Sequence, residues 1–124
     1  MSPTAKKPFI RTKKIEGEPG VLAKIAEMPG PFAAMGKRVH AVIMAAAPHL
    51  VPNLHYGMPW YSRDGKRVCF FRVDRYMTFG LTEDATLQRE PGAAHQLMTS
   101  AWFFRDLDAA TEVKIAELVR AAAS

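Results

Sequence analysis

A chain of 124 residues in which 48% of the side chains are hydrophobic can bury the core of one globular domain, which excludes an intrinsically disordered polymer. Its single cysteine, Cys69, excludes a disulfide framework within the chain and a zinc site made of four cysteines. The net charge of +5 lies in residues 1–14, which hold five basic side chains and no acidic ones. We therefore expect a flexible basic arm, residues 1–14, before one neutral domain, residues 15–124, and we expect nucleic acid to bind only through that arm.

We expect neither export nor insertion into a membrane. The N-terminal residues lack the apolar segment that follows the positive charges of a signal peptide. The longest apolar helical window, residues 39–47, is shorter than the roughly 20 residues that span a bilayer. With a lone cysteine in an apolar run, these features predict a cytoplasmic protein.

Three segments have the hydrophobic spacing or the end signals of helices. A short helix is predicted from about residue 18 to residue 28, where a Pro-Gly-Pro sequence ends it. A longer helix is predicted over residues 32–46, because apolar residues recur there at steps of three and four. Asp108 is placed to cap a final helix over residues 109–123.

Between the second and third helices the pattern changes to that of strands. β-branched and aromatic residues predict strands at residues 60–62, 67–73, 76–81 and 97–104, with a polar loop over residues 82–96. Asp64-Gly65 is a turn signal, and Asp74-Arg75 predicts a two-residue hairpin turn. This order predicts the α+β class: a two-layer domain whose helices pack on one face of a curved antiparallel sheet.

The sequence Gly57-Met58-Pro59 predicts a structural corner before the sheet. Gly57 can adopt a positive φ angle and turn the chain from the helix connection onto the sheet. Pro59 has no N–H to donate to a neighbouring strand, which suits the first residue of an edge strand.

The predicted hairpins sort the strand residues into two faces, since a two-residue turn pairs Val73 with Tyr76 and the preceding turn pairs Trp60 with Cys69. The expected core face consists of Tyr61, Val68, Phe70, Met77, Phe79, Leu81, Ala101 and Phe103. The expected second face consists of Trp60, Cys69, Phe71, Val73, Tyr76, Thr78 and Trp102.

The second predicted face is too apolar for a surface that meets only water. We expect Trp60, Phe71 and Trp102 to line a concave surface, with His55 and Cys69 at its polar margin. Such a surface suits either a homodimer interface or a small apolar ligand. The alternative is that the N-terminal segment of the same chain covers it.

Segments 47–61 (APHLVPNLHYGMPWY) and 68–81 (VCFFRVDRYMTFGL), with the late aromatic strand before a helix, resemble the YdhG-like family. The resemblance runs from about Ala33 to Ala122. It implies small bacterial domains with helices layered on a curved antiparallel sheet, similar in outline to frataxin. One branch of that family is described as an intracellular iron chaperone, which makes iron binding the function that the resemblance implies.

The residues themselves favour a non-enzymatic binding or interaction protein. The four histidines lack the spacing of metal ligands, the serines lack the frame of a hydrolase nucleophile, and the acidic residues form no ridge for a hard cation. His40 is predicted on the surface of the second helix. We expect no catalytic residues, no metal site and no cofactor, with an iron chaperone of the frataxin type as the alternative function.

Overall fold

The computed structural model describes residues 16–124, so the predicted basic arm lies outside the described residues. Three helices and five strands form one layer each, which confirms the α+β class. The helices are α1 (Gly17–Ala26), α2 (Phe32–Ala46) and α3 (Ala109–Ala122). The strands are β1 (Val51–His55), β2 (Met58–Arg63), β3 (Lys66–Val73), β4 (Met77–Leu81) and β5 (Ala101–Phe104). Every neighbouring pair is antiparallel, and the order in the sheet is that of the chain.

The three helices confirm the predictions from spacing and end signals. In α2 the buried residues Gly36, Val39, His40 and Ile43 recur at three- and four-residue steps, which turns one stripe of the helix toward the sheet. At the start of α3 a carboxylate oxygen of Asp108 accepts the N–H of Thr111 at 2.8 Å. Within residues 16–124, no helix is long and apolar enough to cross a membrane.

Two tight turns with positive φ angles connect the first three strands. Asp64 and Gly65 have φ angles of 53° and 80°, which confirms the predicted turn between β2 and β3. Tyr56 and Gly57 have φ angles of 57° and 71° and join β1 to β2. The positive φ angle of Gly57 is therefore confirmed, although the turn joins two strands instead of joining a helix connection to the sheet.

Pro59 does not begin an edge strand as predicted. It lies inside β2 and pairs with Leu54 of β1, while the pairing of β2 with β3 begins one residue later, at Trp60. The missing N–H of the proline therefore falls where β2 has no pairing with β3. The prediction failed because residues 51–55 contain Pro52 and Asn53, which hide a strand from a propensity argument.

The register between β3 and β4 differs from the prediction by one residue. Three residues, Asp74 to Tyr76, connect the strands, and the N–H of Asp74 donates to the carbonyl of Tyr76 at 2.9 Å. Val73 consequently pairs with Met77, and Phe71 pairs with Phe79. Because side chains alternate between faces, one extra turn residue changes which residues of the two strands share a face.

An irregularity in the register between β2 and β3 adds to this change. Tyr61 pairs with Cys69 and Ser62 with Arg67, so the register shifts between Tyr61 and Ser62 and leaves Val68 without a partner in β2. Such a bulge re-aims the side chains on either side of it. The predicted pairing of Trp60 with Cys69 is wrong, since Trp60 pairs with Phe70.

The core lies between the helices and the face of the sheet that carries Tyr61, Cys69, Phe71, Met77 and Phe79, which are fully buried. We call this the inner face. In β5 Trp102 pairs with Phe79 and packs against the core, whereas Phe103 pairs with Thr78 and is 67% exposed. The predicted placement of Phe70, Ala101 and Phe103 in the core is therefore wrong.

Replacement of Gly57 by alanine is expected to lower the free energy of unfolding by about 1 kcal/mol or more, because a φ angle of 71° is strained for a residue with a Cβ atom. Gly57→Asn is the matched control, since asparagine tolerates this backbone region and should lower the free energy of unfolding by less. Urea denaturation midpoints measure both. An alanine variant as stable as the asparagine variant would contradict the assigned turn.

Candidate ligand-binding face

The face of the sheet opposite the helices carries aromatic rings and arginines. The outer face includes Met58, Trp60, Ser62, Arg67, Phe70, Arg72, Thr78, Gly80, Ala101 and Phe103, with Tyr56, Tyr76 and Arg105 at its rim. Tyr56 is 82% exposed, and Trp60 and Phe70 are half-buried. An open face of this composition on an α+β domain is a candidate binding surface.

The first ring cluster joins β2 and β3. The rings of Trp60 and Phe70 lie 4.5 Å apart between centroids, with an interplanar angle of 32°. The guanidinium carbon of Arg67 lies 5.2 Å from the centroid of Trp60 and 5.5 Å from that of Tyr56. The indole N–H of Trp60 donates to the carbonyl of His55 at 3.0 Å, which fixes the orientation of the ring. Aromatic and cation–π contacts together hold these four side chains as one unit.

Phe70 extends this cluster over the next strand. A Cβ atom on Gly80 would lie 2.4 Å from Cε1 of Phe70, so the ring lies directly on the backbone of β4. Only glycine leaves room for that approach. The ring of Phe70 is thereby held close to the backbone of β4.

The second ring cluster lies at the other end of the outer face, between the start of β4 and β5. The rings of Tyr76 and Phe103 are stacked at 6.5 Å between centroids. The guanidinium of Arg105 lies 4.8 Å from the centroid of Tyr76, and its Nη2 donates to the hydroxyl of that tyrosine at 2.9 Å. An open cavity of about 620 Å³ adjoins the cluster, lined by Pro29, Arg72, Val73, Asp74, Arg75, Tyr76, Thr78 and Phe103.

The charge on this face is positive. Arg72 forms an ion pair with Asp74 at 3.0 Å. Arg67, Arg75 and Arg105 form no ion pair with any residue of the described part of the chain. The domain as a whole is neutral, but positive side chains therefore outnumber negative ones beside the rings.

The structure places the predicted site residues on both faces of the sheet. Trp60 and Tyr76 belong to the outer surface, and His55 adjoins it through its carbonyl group. Cys69, Phe71, Val73 and Trp102 are instead on the inner face, where Cys69 and Phe71 have no exposed surface. The three-residue turn and the bulge in β3 explain the change for Cys69, Phe71 and Val73. In β5 the residues that face the core are Trp102 and Phe104 instead of Ala101 and Phe103. Gly57 lies in the turn beside Tyr56.

Sequence reasoning missed Arg67, Phe70, Phe103 and Arg105 as residues of one surface. In residues 101–104 (Ala-Trp-Phe-Phe) every side chain is apolar, so alternation cannot show which residues point to the core. The available signal was glycine at position 80, since a glycine inside a strand often marks a place where another group lies on the backbone.

His40 is buried, with 5% of its surface exposed, which corrects its predicted place on the helix surface. Burial raises the pKa of Tyr61 far above its usual range, so its hydroxyl keeps its proton and donates to Nδ1 of His40 at 2.7 Å. Nε2 of His40 is then the donor to the Glu18 carboxylate at 2.6 Å. This chain ties α1, α2 and β2 together and leaves no free base beside a cavity. The sequence signal for the burial of His40 was its spacing from Gly36 and Ile43, which places it in the buried stripe of α2.

Cys69 is not an activated thiol. Burial raises its pKa to about 12, and its side chain is completely enclosed. Within residues 16–124, no group of three histidine, cysteine or acidic side chains is arranged to hold a metal ion.

Compared with known proteins, the chain matches no family model, no curated protein and no solved structure. The α+β class rests on the observed elements alone. The resemblance to the YdhG-like family stays a prediction.

Labelling of Cys69 by an aromatic disulfide reagent at about pH 8 is expected to be at least about a hundred-fold slower in the folded protein than in denaturant, because thiolate is scarce and the site is closed. The control places a cysteine at exposed Ser100 in a Cys69→Ala background, where labelling should be fast. Equal rates for the two folded proteins would contradict the burial of Cys69.

Gly80→Ala is expected to lower the free energy of unfolding by about 1–3 kcal/mol, because its methyl group displaces the ring of Phe70. In a Phe70→Ala background the same change should become neutral or stabilising, since alanine loses less backbone entropy than glycine in a strand. A double-mutant cycle by chemical denaturation measures the coupling. Equal costs in both backgrounds would show that Phe70 does not lie on Gly80.

Proposed function

We propose that this protein is a non-enzymatic binding domain whose outer face takes a ligand that combines a flat apolar ring with negative charge. One observation supports the proposal: in both ring clusters an arginine lies against the aromatic side chains, as Arg67 does at Trp60 and Arg105 at Tyr76. Each cluster therefore offers a stacking surface and a cation at the same place.

The chemistry of such a cluster selects its ligand. An aromatic ring that stacks on an exposed ring such as that of Phe103 gains about 0.5–1.5 kcal/mol beyond the burial of its area. A carboxylate, sulfonate or phosphate beside it accepts charge-assisted hydrogen bonds from the arginine fork. Neither an apolar molecule without charge nor a bare anion uses both groups.

The homodimer that the sequence also suggested is less well supported. In a two-fold symmetric interface the same patch meets itself, so Arg67, Arg75 and Arg105 of two copies would be brought together. Like charges that lose water in this way oppose association. The iron-binding alternative has no comparable support among the described side chains. A cytoplasmic location stays a prediction.

Binding of anilinonaphthalene sulfonate, a flat aromatic anion, tests the proposal. We expect the folded protein to enhance the fluorescence of the dye, and Phe103→Leu and Arg105→Gln to weaken its binding. Arg120→Gln is the matched control, because it removes one positive charge from an exposed position of helix α3 and should leave binding unchanged. Light scattering gives the mass of each protein.

Dye affinity that falls equally in Arg120→Gln and Arg105→Gln would mean that only net charge matters. Absence of dye binding by a monomeric protein would mean that the outer face is closed. Either result would contradict the proposal.

A further inference from the structure

The outer face carries the same recognition unit twice. The first ring cluster combines Trp60 and Phe70 with Arg67, and the second combines Tyr76 and Phe103 with Arg105. A ligand with one ring and one charge needs only one such unit. Two units on one face indicate a ligand in which ring and charge repeat.

The distance between the clusters supports a repeating ligand. Phe70 belongs to β3 and Phe103 to β5, so two strand spacings, or about 10 Å, separate their backbones across the sheet. Thr78 and Gly80 of the intervening strand have small side chains, and the ring of Phe70 lies over Gly80. Thr78 and Gly80 are both buried beneath these neighbours, and Phe103 lies two residues further along β5 than the partner of Gly80, so the clusters are separated along the strands as well as across the sheet.

The arginines follow the same path. Arg72 pairs with Thr78, which pairs with Phe103, so this arginine is in the same row of the outer face as the second cluster. Arg75 lies in the adjoining turn and also lines the cavity beside Tyr76. Arg72 is ion-paired with Asp74, so the positive charge beside the rings comes from Arg67 at the first cluster and from Arg75 and Arg105 at the second. Charge at both clusters suits a chain with one negative charge per unit.

We propose, resting on the proposed function, that the partner is a single-stranded nucleic acid, whose bases stack on the two ring clusters and whose phosphates contact Arg67, Arg75 and Arg105. A duplex fits this surface less well, because its bases are already stacked on one another and present no free ring face. Base stacking on aromatic side chains of an open sheet is tolerant of sequence, so binding depends on strand form and salt more than on base identity. The proposal differs from the expectation that only the basic arm contacts nucleic acid.

Fluorescence anisotropy of the full chain with a labelled oligothymidine of about 12 nucleotides tests the inference. We expect binding to be at least about five-fold weaker in Phe103→Leu, in keeping with the loss of one stacked base. In Arg105→Gln the slope of log affinity against log salt should become smaller by about 0.7. Arg120→Gln should change the affinity less than Phe103→Leu does and the salt slope less than Arg105→Gln does. Unfolding midpoints confirm that each variant is folded.

Competitors and a variant of the arm separate the other outcomes. A duplex of the same length, thymidine monophosphate and polyglutamate should all compete poorly. The arm variant replaces its five basic residues by glutamine: Lys6, Lys7, Arg11, Lys13 and Lys14. It should bind more weakly but remain sensitive to Phe103→Leu.

Equal competition by the duplex, by the monophosphate or by polyglutamate would overturn the inference. Binding that depends on the arm and not on Phe103 would overturn it as well. If the oligonucleotide fails to bind while the dye still binds at Phe103 and Arg105, the nucleic-acid inference is wrong and the proposed binding face stands. If neither binds, both are wrong.

Discussion

The pairing of Phe71 with Phe79 is the constraint on which the rest of the structure depends. It places both rings on the inner face, where neither has any exposed surface. It follows from three connecting residues, Asp74 to Tyr76, in place of two. Because strand side chains alternate, the same pairing leaves Phe70 on the outer face, where its ring covers Gly80. The extra turn residue, together with the bulge in β3, thus decides which aromatic side chains of these strands form the core and which meet solvent.

The outer face owes its chemistry to what this register leaves uncovered. Aromatic rings in an exposed row are normally an aggregation hazard, and arginines placed against them keep the surface charged. Arg67 and Arg105 do this at opposite ends of the face. The inner side is closed by packing and by the hydrogen-bonded chain from Glu18 through His40 to Tyr61. Polar chemistry in the core therefore serves the fold, and the exposed rings and the arginines beside them lie on the outer face of the sheet.

The sequence was sufficient to predict the α+β class, helices α2 and α3, and the positive φ angle of Gly57. Helix periodicity, an aspartate cap and glycine turns are local signals, which a sequence pattern can report. The sequence was insufficient to predict the register of the strand pairs. Residues 67–73 are apolar on both faces around Cys69, and residues 101–104 are apolar throughout, so alternation gave no direction. A bulge and one extra turn residue depend on packing across strands, which no local pattern reports. The prediction of the aromatic face was consequently correct for Trp60. It was wrong for four residues that lie on the inner face: Cys69, Phe71, Val73 and Trp102.

The most direct test of the account measures solvent access to individual phenylalanines without any ligand. In protein labelled with fluorophenylalanine, a soluble paramagnetic agent should broaden the fluorine resonance of Phe103 strongly and that of Phe70 to an intermediate extent. The resonances of Phe71 and Phe79, which are fully buried, should stay sharp. Broadening of Phe71 with protection of Phe70 would mean that the register is wrong, and protection of Phe103 and Phe70 together would mean that the outer face is covered.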